Sequence, residues 1–217
     1  MDELNLLQRI AIWTLPVLFA ITVHEVAHGW VALRCGDRTA MMLGRLTLNP
    51  IKHIDPIGTL LVPGLMLAFG GFIFGWAKPV PVTWENLRQP KRDMAFVAMA
   101  GPLANLVMAL LWVGVMKVSL LLPANLSLVA QPLLYMGAAG ITINLILMVL
   151  NLLPLPPLDG SRIVSSLLPN KLSWRYNQLE SYGLLILLVL LASGVLANII
   201  GPPIYKLQAM LYLLAGV

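Results

Sequence analysis

Residues 24–28 read His-Glu-Val-Ala-His. On a helix this spacing puts two imidazoles one turn apart on one face, where they can chelate zinc. It also sets a carboxylate beside them that can act as a general base in hydrolysis. The motif lies inside an apolar run that begins at Ile10 and continues to Leu33. Ionisable groups within a membrane span are costly and mark function, so the setting points to hydrolysis inside a bilayer rather than to a soluble zinc site. Two histidines do not complete a catalytic zinc site, which usually takes three protein ligands and leaves one position open. The only other histidine is His53, and acidic candidates are few. Asp159 stands out, in Asn151-Leu-Leu-Pro154-Leu-Pro156-Pro157-Leu158-Asp159-Gly160. The three prolines force the chain out of helix, an extended segment can aim a carboxylate sideways at a neighbouring helix, and Gly160 permits a turn directly afterwards.

Four helices long enough to span are expected to carry these groups, over about 5–33, 94–121, 132–153 and 180–200. Residues 57–77 are apolar but broken by Gly58, Pro63, Gly64, Gly70, Gly71 and Gly75. The stretch 203–217 is short, and an interfacial or half-crossing helix is expected there after Gly201-Pro202-Pro203. Loop charge decides the reading of 57–77. The loop 34–56 carries Arg34, Arg38, Arg45 and Lys52, and 78–93 carries Lys78, Arg88, Lys91 and Arg92. Positive loops stay cytoplasmic, so a single crossing between them would put one on the wrong side, and 57–77 is expected to enter the membrane and return. Aromatic and β-branched residues at 70–82 predict partial strand, a candidate edge for an unwound substrate to pair with. The expected fold class is therefore an all-α polytopic membrane protein, with about four to six transmembrane helices and a re-entrant, partly β element after the first. The N-terminus is expected outside and 154–179, with Arg162, Lys171 and Arg175, inside. His24 then lies roughly 15 Å from Arg34 and roughly 22 Å from Arg9 along the helix, within the hydrocarbon and nearer the cytoplasmic side.

Composition agrees with this frame. Of 217 residues, 59% are hydrophobic and only 11% charged, against about 25% charged in soluble domains. The net charge of +5 sits in short loops, a membrane-topology pattern and not a nucleic-acid footprint. A single cysteine, Cys35, excludes an intrachain disulfide and a cysteine-based zinc site. No cleavable signal is expected, because the first apolar helix carries the motif. One membrane domain is expected over 1–217. It comprises the His-Glu helix at 5–33, the re-entrant segment 57–82, core helices 94–121 and 132–153 leading into 154–160, and C-terminal helices at 180–217. Trp13, Trp30, Trp76 and Trp84 read as interfacial anchors.

His24-Glu25-x-x-His28 together with Asn151-x-x-Pro154-x-x-x-Leu158-Asp159-Gly160 resembles the site-2 protease family of intramembrane zinc metalloproteases. Three further stretches resemble its short prokaryotic branch, which lacks PDZ or CBS domains: Asn49-Pro50-x-x-His53-x-Asp55-Pro56-x-Gly58-Thr59, Gly75-Trp76-Ala77-Lys78-Pro79-Val80-Pro81-Val82 and Ala100-Gly101-Pro102-Leu103-Ala104-Asn105. The resemblance implies one Zn²⁺ per chain on His24, His28 and Asp159. It also implies Glu25 as the base that takes a proton from water and passes it to the leaving amine, and Asn151 as a hydrogen-bond donor to the oxyanion. Transmembrane proteins or peptides are the implied substrates, and the prokaryotic cytoplasmic membrane the implied location. Asn144, two turns before Asn151, is expected to line the same cavity or to join helices. His53 and Asp55 read as loop-organising residues. Ala100, Gly101 and Ala104 read as packing residues, with Asn105 able to hydrogen-bond across that contact. Two other readings compete: a metal or proton transporter, and an inactive scaffold that binds transmembrane helices. No paired broken-helix repeats favour the first, and an intact Glu25 argues against the second.

Overall fold

The computed structural model describes residues 4–61 and 78–217. Helix α1 (Leu6–Arg34) opens with a capping box, in which the Gln8 N–H donates to Asn5 Oδ1 at 2.9 Å and the Asn5 N–H to Gln8 Oε1 at 3.0 Å. Its 29 residues rise about 43 Å, more than the ~30 Å hydrocarbon core requires. After the short α2 (Thr39–Met42) come a 3-10 turn, Pro50–His53, and a π-helical turn, Pro56–Leu61. A third short turn, Trp84–Asn86, leads into α3 (Pro90–Leu121). Proline suits this first helical position, where the missing N–H would have no partner, and Asp93 Oδ2 accepts the Gln89 N–H at 2.8 Å. Then follow α4 (Ser127–Asn151), α5 (Asp159–Leu167), α6 (Asn170–Asn177), α7 (Glu180–Ala192) and α8 (Val195–Ala215).

Helix α3 is the centre of the molecule, packed against both α1 and α4. Its buried residues Met94, Val97, Ala98, Gly101, Asn105, Ala109, Trp112, Val113 and Met116 recur every three or four positions, one continuous face. The first half of that face meets α1, with Met94 and Val97 against Ala32 and Gly101 beside the histidines; the second half is large and meets Ile141, Leu145 and Met148 of α4, with Leu211 and Ala215 of α8 closing the cluster. Small residues let membrane helices approach closely enough for side chains to hydrogen-bond across the contact. Outward faces are apolar instead: Leu7, Leu111, Leu121, Leu128, Leu185 and Leu213 are all more than half exposed. Long helices that bury Asn105 and Asn144 and turn leucines outward are dressed for lipid.

Among the described residues, three helices are long and apolar enough to cross a membrane: Leu6–Arg34, Pro90–Leu121 and Ala124–Asn151, the last counted with the 3-10 turn ahead of α4. The described residues are otherwise helix, turn and extended connection, with no strand among them. The spanning helix expected over about 180–200 is not one continuous helix; it is broken. The chain breaks at Ser193–Gly194, where Gly194 takes φ +76°, and α7 and α8 meet at 79°. A left-handed residue ends a helix at little cost only when it is glycine. The expected break at Gly201-Pro202-Pro203 is absent, because α8 runs through both prolines. Membrane helices tolerate proline where neighbouring groups take over the freed carbonyls. Helix α4 likewise begins at Ser127, ahead of the expected 132, and contains Pro132. Most of the expected re-entrant segment, residues 62–77, lies outside the described residues. Of the expected strand at 70–82, the described part, 78–82, does not form a strand.

Candidate metal centre

His24 and His28 sit on the face of α1 that meets α3, and both are buried. Their Nε2 atoms stand 3.0 Å apart, and Asp159 Oδ2 lies 3.2 Å from each. Among the described residues these three are the group of histidine, cysteine and acidic side chains arranged to hold a metal ion. Asp159 arrives from α5. Leu158 is extended, at φ −67° and ψ 156°, so the chain leaves the proline segment and re-enters helix with Asp159 as its first residue. Gly160 does not make a turn as expected. It is helical, and a Cβ there would stand 2.3 Å from the Leu152 carbonyl oxygen, so glycine lets α5 close onto the end of α4.

The protonation pattern follows from the partners. His28 Nδ1 lies 2.7 Å from the Val97 carbonyl, which can only accept. His24 Nδ1 lies 2.6 Å from Asn105 Oδ1. The Asn105 amide cannot be turned round, because its Nδ2 donates to the Ala20 carbonyl at 3.1 Å and to Asn144 Oδ1 at 2.9 Å. Asn144 is held in turn by Nδ2 donation to the Gly140 carbonyl at 2.8 Å. Both rings therefore carry hydrogen on Nδ1, and in the neutral form each directs an Nε2 lone pair into the same small space as a carboxylate oxygen.

Three acceptors facing one another at this range repel unless a cation lies among them. Asp159 Oδ2 is fully buried and accepts no hydrogen bond. Tetrahedral zinc, at about 2.0–2.1 Å from nitrogen or oxygen ligands, separates them by roughly 3.3–3.4 Å, close to the 3.0–3.2 Å seen. Gly101 keeps the space beside them clear, since a Cβ there would come within 2.4 Å of His28 Nε2 and 2.6 Å of His24 Nε2. The donor set, its geometry and this cradle all fit zinc.

Glu25 Oε2 accepts the Val80 N–H at 2.7 Å. Asn151 is not drawn into the cluster by any hydrogen bond among the described residues; its amide donates to the Leu147 carbonyl of its own helix at 2.9 Å. His53 lies elsewhere, its Nε2 2.9 Å from the Thr47 carbonyl. Sequence reading missed two contacts, the Val97 carbonyl and the Val80 N–H, because backbone groups leave no trace in residue type. It undervalued Asn105 and Gly101, whose signal was a polar and a minimal residue on an otherwise apolar helix.

Residues 12–124 and 124–193 match peptidase family M50. Over 191 residues the chain is 39% identical to "Putative zinc metalloprotease YwhC" of Bacillus subtilis (strain 168), covering 87% of this chain and 83% of that protein. It is 32% identical over 199 residues to "Putative zinc metalloprotease Rip2" of Mycolicibacterium smegmatis (strain ATCC 700084 / mc(2)155), covering 90% of this chain and 73% of that one. No solved structure matches. With a family match over most of its length and relatives above 30% identity, the chain belongs to peptidase family M50, the site-2 proteases, and is a zinc metalloprotease with membrane-spanning helices.

Proposed function

We propose that this protease cleaves peptide bonds within or beside transmembrane segments of membrane-protein substrates, with its whole length, 1–217, acting as one intramembrane domain. His24, His28 and Asp159 hold one zinc ion. Zinc supplies Lewis acidity, lowering the pKa of a water and polarising a carbonyl. Glu25 takes the proton of the attacking water and delivers it to the leaving amine. Asn105 and the Val97 carbonyl keep both histidines in the tautomer that offers Nε2. The second amide hydrogen of Asn151, the one not given to Leu147, is the donor to the oxyanion. The domain sits in the prokaryotic cytoplasmic membrane, with the site nearer the cytoplasmic side, where the basic loops cluster.

The observation that supports this reading best is the convergence of three buried acceptor atoms, from opposite parts of the chain, within 3.0–3.2 Å of one another. A substrate helix must unwind to expose a carbonyl there, because its own hydrogen bonds and side chains shield the backbone. Cleavage of a transmembrane substrate by wild type and by Glu25→Gln tests the mechanism. The wild type is expected to cleave and Glu25→Gln to keep its zinc without cleaving; a cleaving Glu25→Gln contradicts the assigned base.

A further inference from the structure

Residues 78–83 cross the face of α1 that carries Glu25, and three separate tethers fix them there. At one end the Lys78 N–H donates to the His53 carbonyl at 3.0 Å. Arg45 Nη2 donates to the Lys78 carbonyl at 2.8 Å and the Pro79 carbonyl at 3.3 Å. At the other end the Thr83 N–H donates to Asp37 Oδ2 at 2.7 Å. Asp37 is itself locked by the Thr39 N–H at 3.0 Å, the Thr39 hydroxyl at 2.5 Å and the Asn86 amide at 3.1 Å. Between the tethers Val80 sends its N–H to Glu25 Oε2 at 2.7 Å.

The sequence of the crossing leaves little freedom. Pro79 and Pro81 have no N–H, so Val80 holds the one backbone donor of residues 79–81. Each proline also pushes the residue before it into extended conformation. Gly29 lies one turn after Glu25 on the same face. A Cβ there would come within 2.8 Å of Val80 Cγ1 and 2.5 Å of Leu46 Cδ2, so a larger residue would push against the Val80 side chain of the segment. Arg45 is 9% exposed and forms no ion pair among the described residues. Burying a guanidinium without a carboxylate is costly, and here its charge is spent on two backbone carbonyls.

We propose that residues 78–83 form a fixed strap that positions the general base, with Arg45 and Asp37 as positioning residues that act on Glu25 through the Val80 N–H. A glutamate on a helix has three free torsions, and a charge-assisted hydrogen bond to one oxygen sets the direction of the other. The strap thus holds the second oxygen of Glu25 for the water. This inference rests on the reading of Glu25 as the base.

The test uses full-length protein in mild detergent, a fluorescence-quenched transmembrane peptide that the wild type cleaves, and Gly29→Ala, Arg45→Ala, Arg45→Lys and Glu25→Gln. Gly29→Ala and Arg45→Ala are expected to lower kcat about 10- to 100-fold, the scale of a base displaced by about an ångström. KM should stay within about twofold where the strap acts on Glu25 rather than on the substrate. Zinc per chain should not change, and Arg45→Lys should recover part of the lost kcat. Unchanged kcat overturns the proposal. So does raised kcat, which would make the strap an inhibitory latch, and so does a loss that follows zinc and is not recovered by Arg45→Lys. If Arg45→Ala does not fold, Gly29→Ala decides by the same split. A Glu25→Gln that cleaves like wild type removes the base assignment itself; an inactive Glu25→Gln beside fully active strap variants removes only the strap.

Discussion

Asn105 is fully buried, and its oxygen and nitrogen do different work: Oδ1 takes the Nδ1 hydrogen of His24, while Nδ2 ties the amide to α1 and α4. Replacing it by alanine strands that imidazole hydrogen and releases the tautomer. Partners of this kind are worth about 10- to 100-fold in metal affinity, so Asn105→Ala is expected to lose zinc to a competing chelator at 10- to 100-fold lower chelator strength, on that same approximate scale. Gly101→Ala is expected to fail more completely, because its Cβ would come within 2.4 Å of a ligand nitrogen. The check is zinc per chain after purification, with the fold monitored by far-ultraviolet circular dichroism. At this scale the proposed site was legible as a set of candidates: His24, Glu25 and His28 form a local motif, and Asp159 is an acid stranded in an apolar setting. The supports were only half legible. Asn105 and Gly101 were visible as exceptions on α3, but which ring the amide would face depends on how α1 and α3 meet.

Among the connecting elements, Asp37 fastens the end of the strap to the start of α2. Burial pushes its carboxyl pKa up, but hydrogen bonds from Thr39, Thr83 and Asn86 outweigh this and hold it below the ordinary 3.8. A carboxylate with a depressed folded pKa contributes stability that is fully present above its unfolded pKa and is lost as pH falls through the folded value. The wild-type Tm is therefore expected to fall as pH drops below about 4. Asp37→Asn should start from a lower Tm at neutral pH and lack that part of the decline; parallel curves for the two proteins would contradict the assignment. The break between α7 and α8 makes a second prediction. Gly194 at φ +76° has open space around it, so alanine there meets only backbone strain of about 1–2 kcal/mol. Gly194→Ala should lower Tm modestly and leave zinc unchanged. Hydropathy could not locate this break, since residues on both sides are equally apolar, and the conspicuous Pro202-Pro203 pair drew attention to the wrong place.

At the scale of the whole molecule, α3 reads as the organiser. Its first half brings Val97, Gly101 and Asn105 against the histidines of α1, and its second half builds the apolar cluster with α4 and α8. The helical membrane character of the described residues was legible because bilayers admit few backbone solutions and the apolar runs are long. The meeting of Asp159 with α1 was not legible from periodicity. It depends on α5 closing onto the turn after α4, a contact between elements that only packing decides. The central claim is that residues from the first helix and from α5 form one zinc site. Its most direct test is zinc content per purified chain for wild type, His24→Ala and Asp159→Ala in mild detergent. About one zinc in the wild type and loss in both variants is the expected result. Zinc retained at wild-type level by Asp159→Ala, or absent from well-folded wild type after resupply, would contradict it.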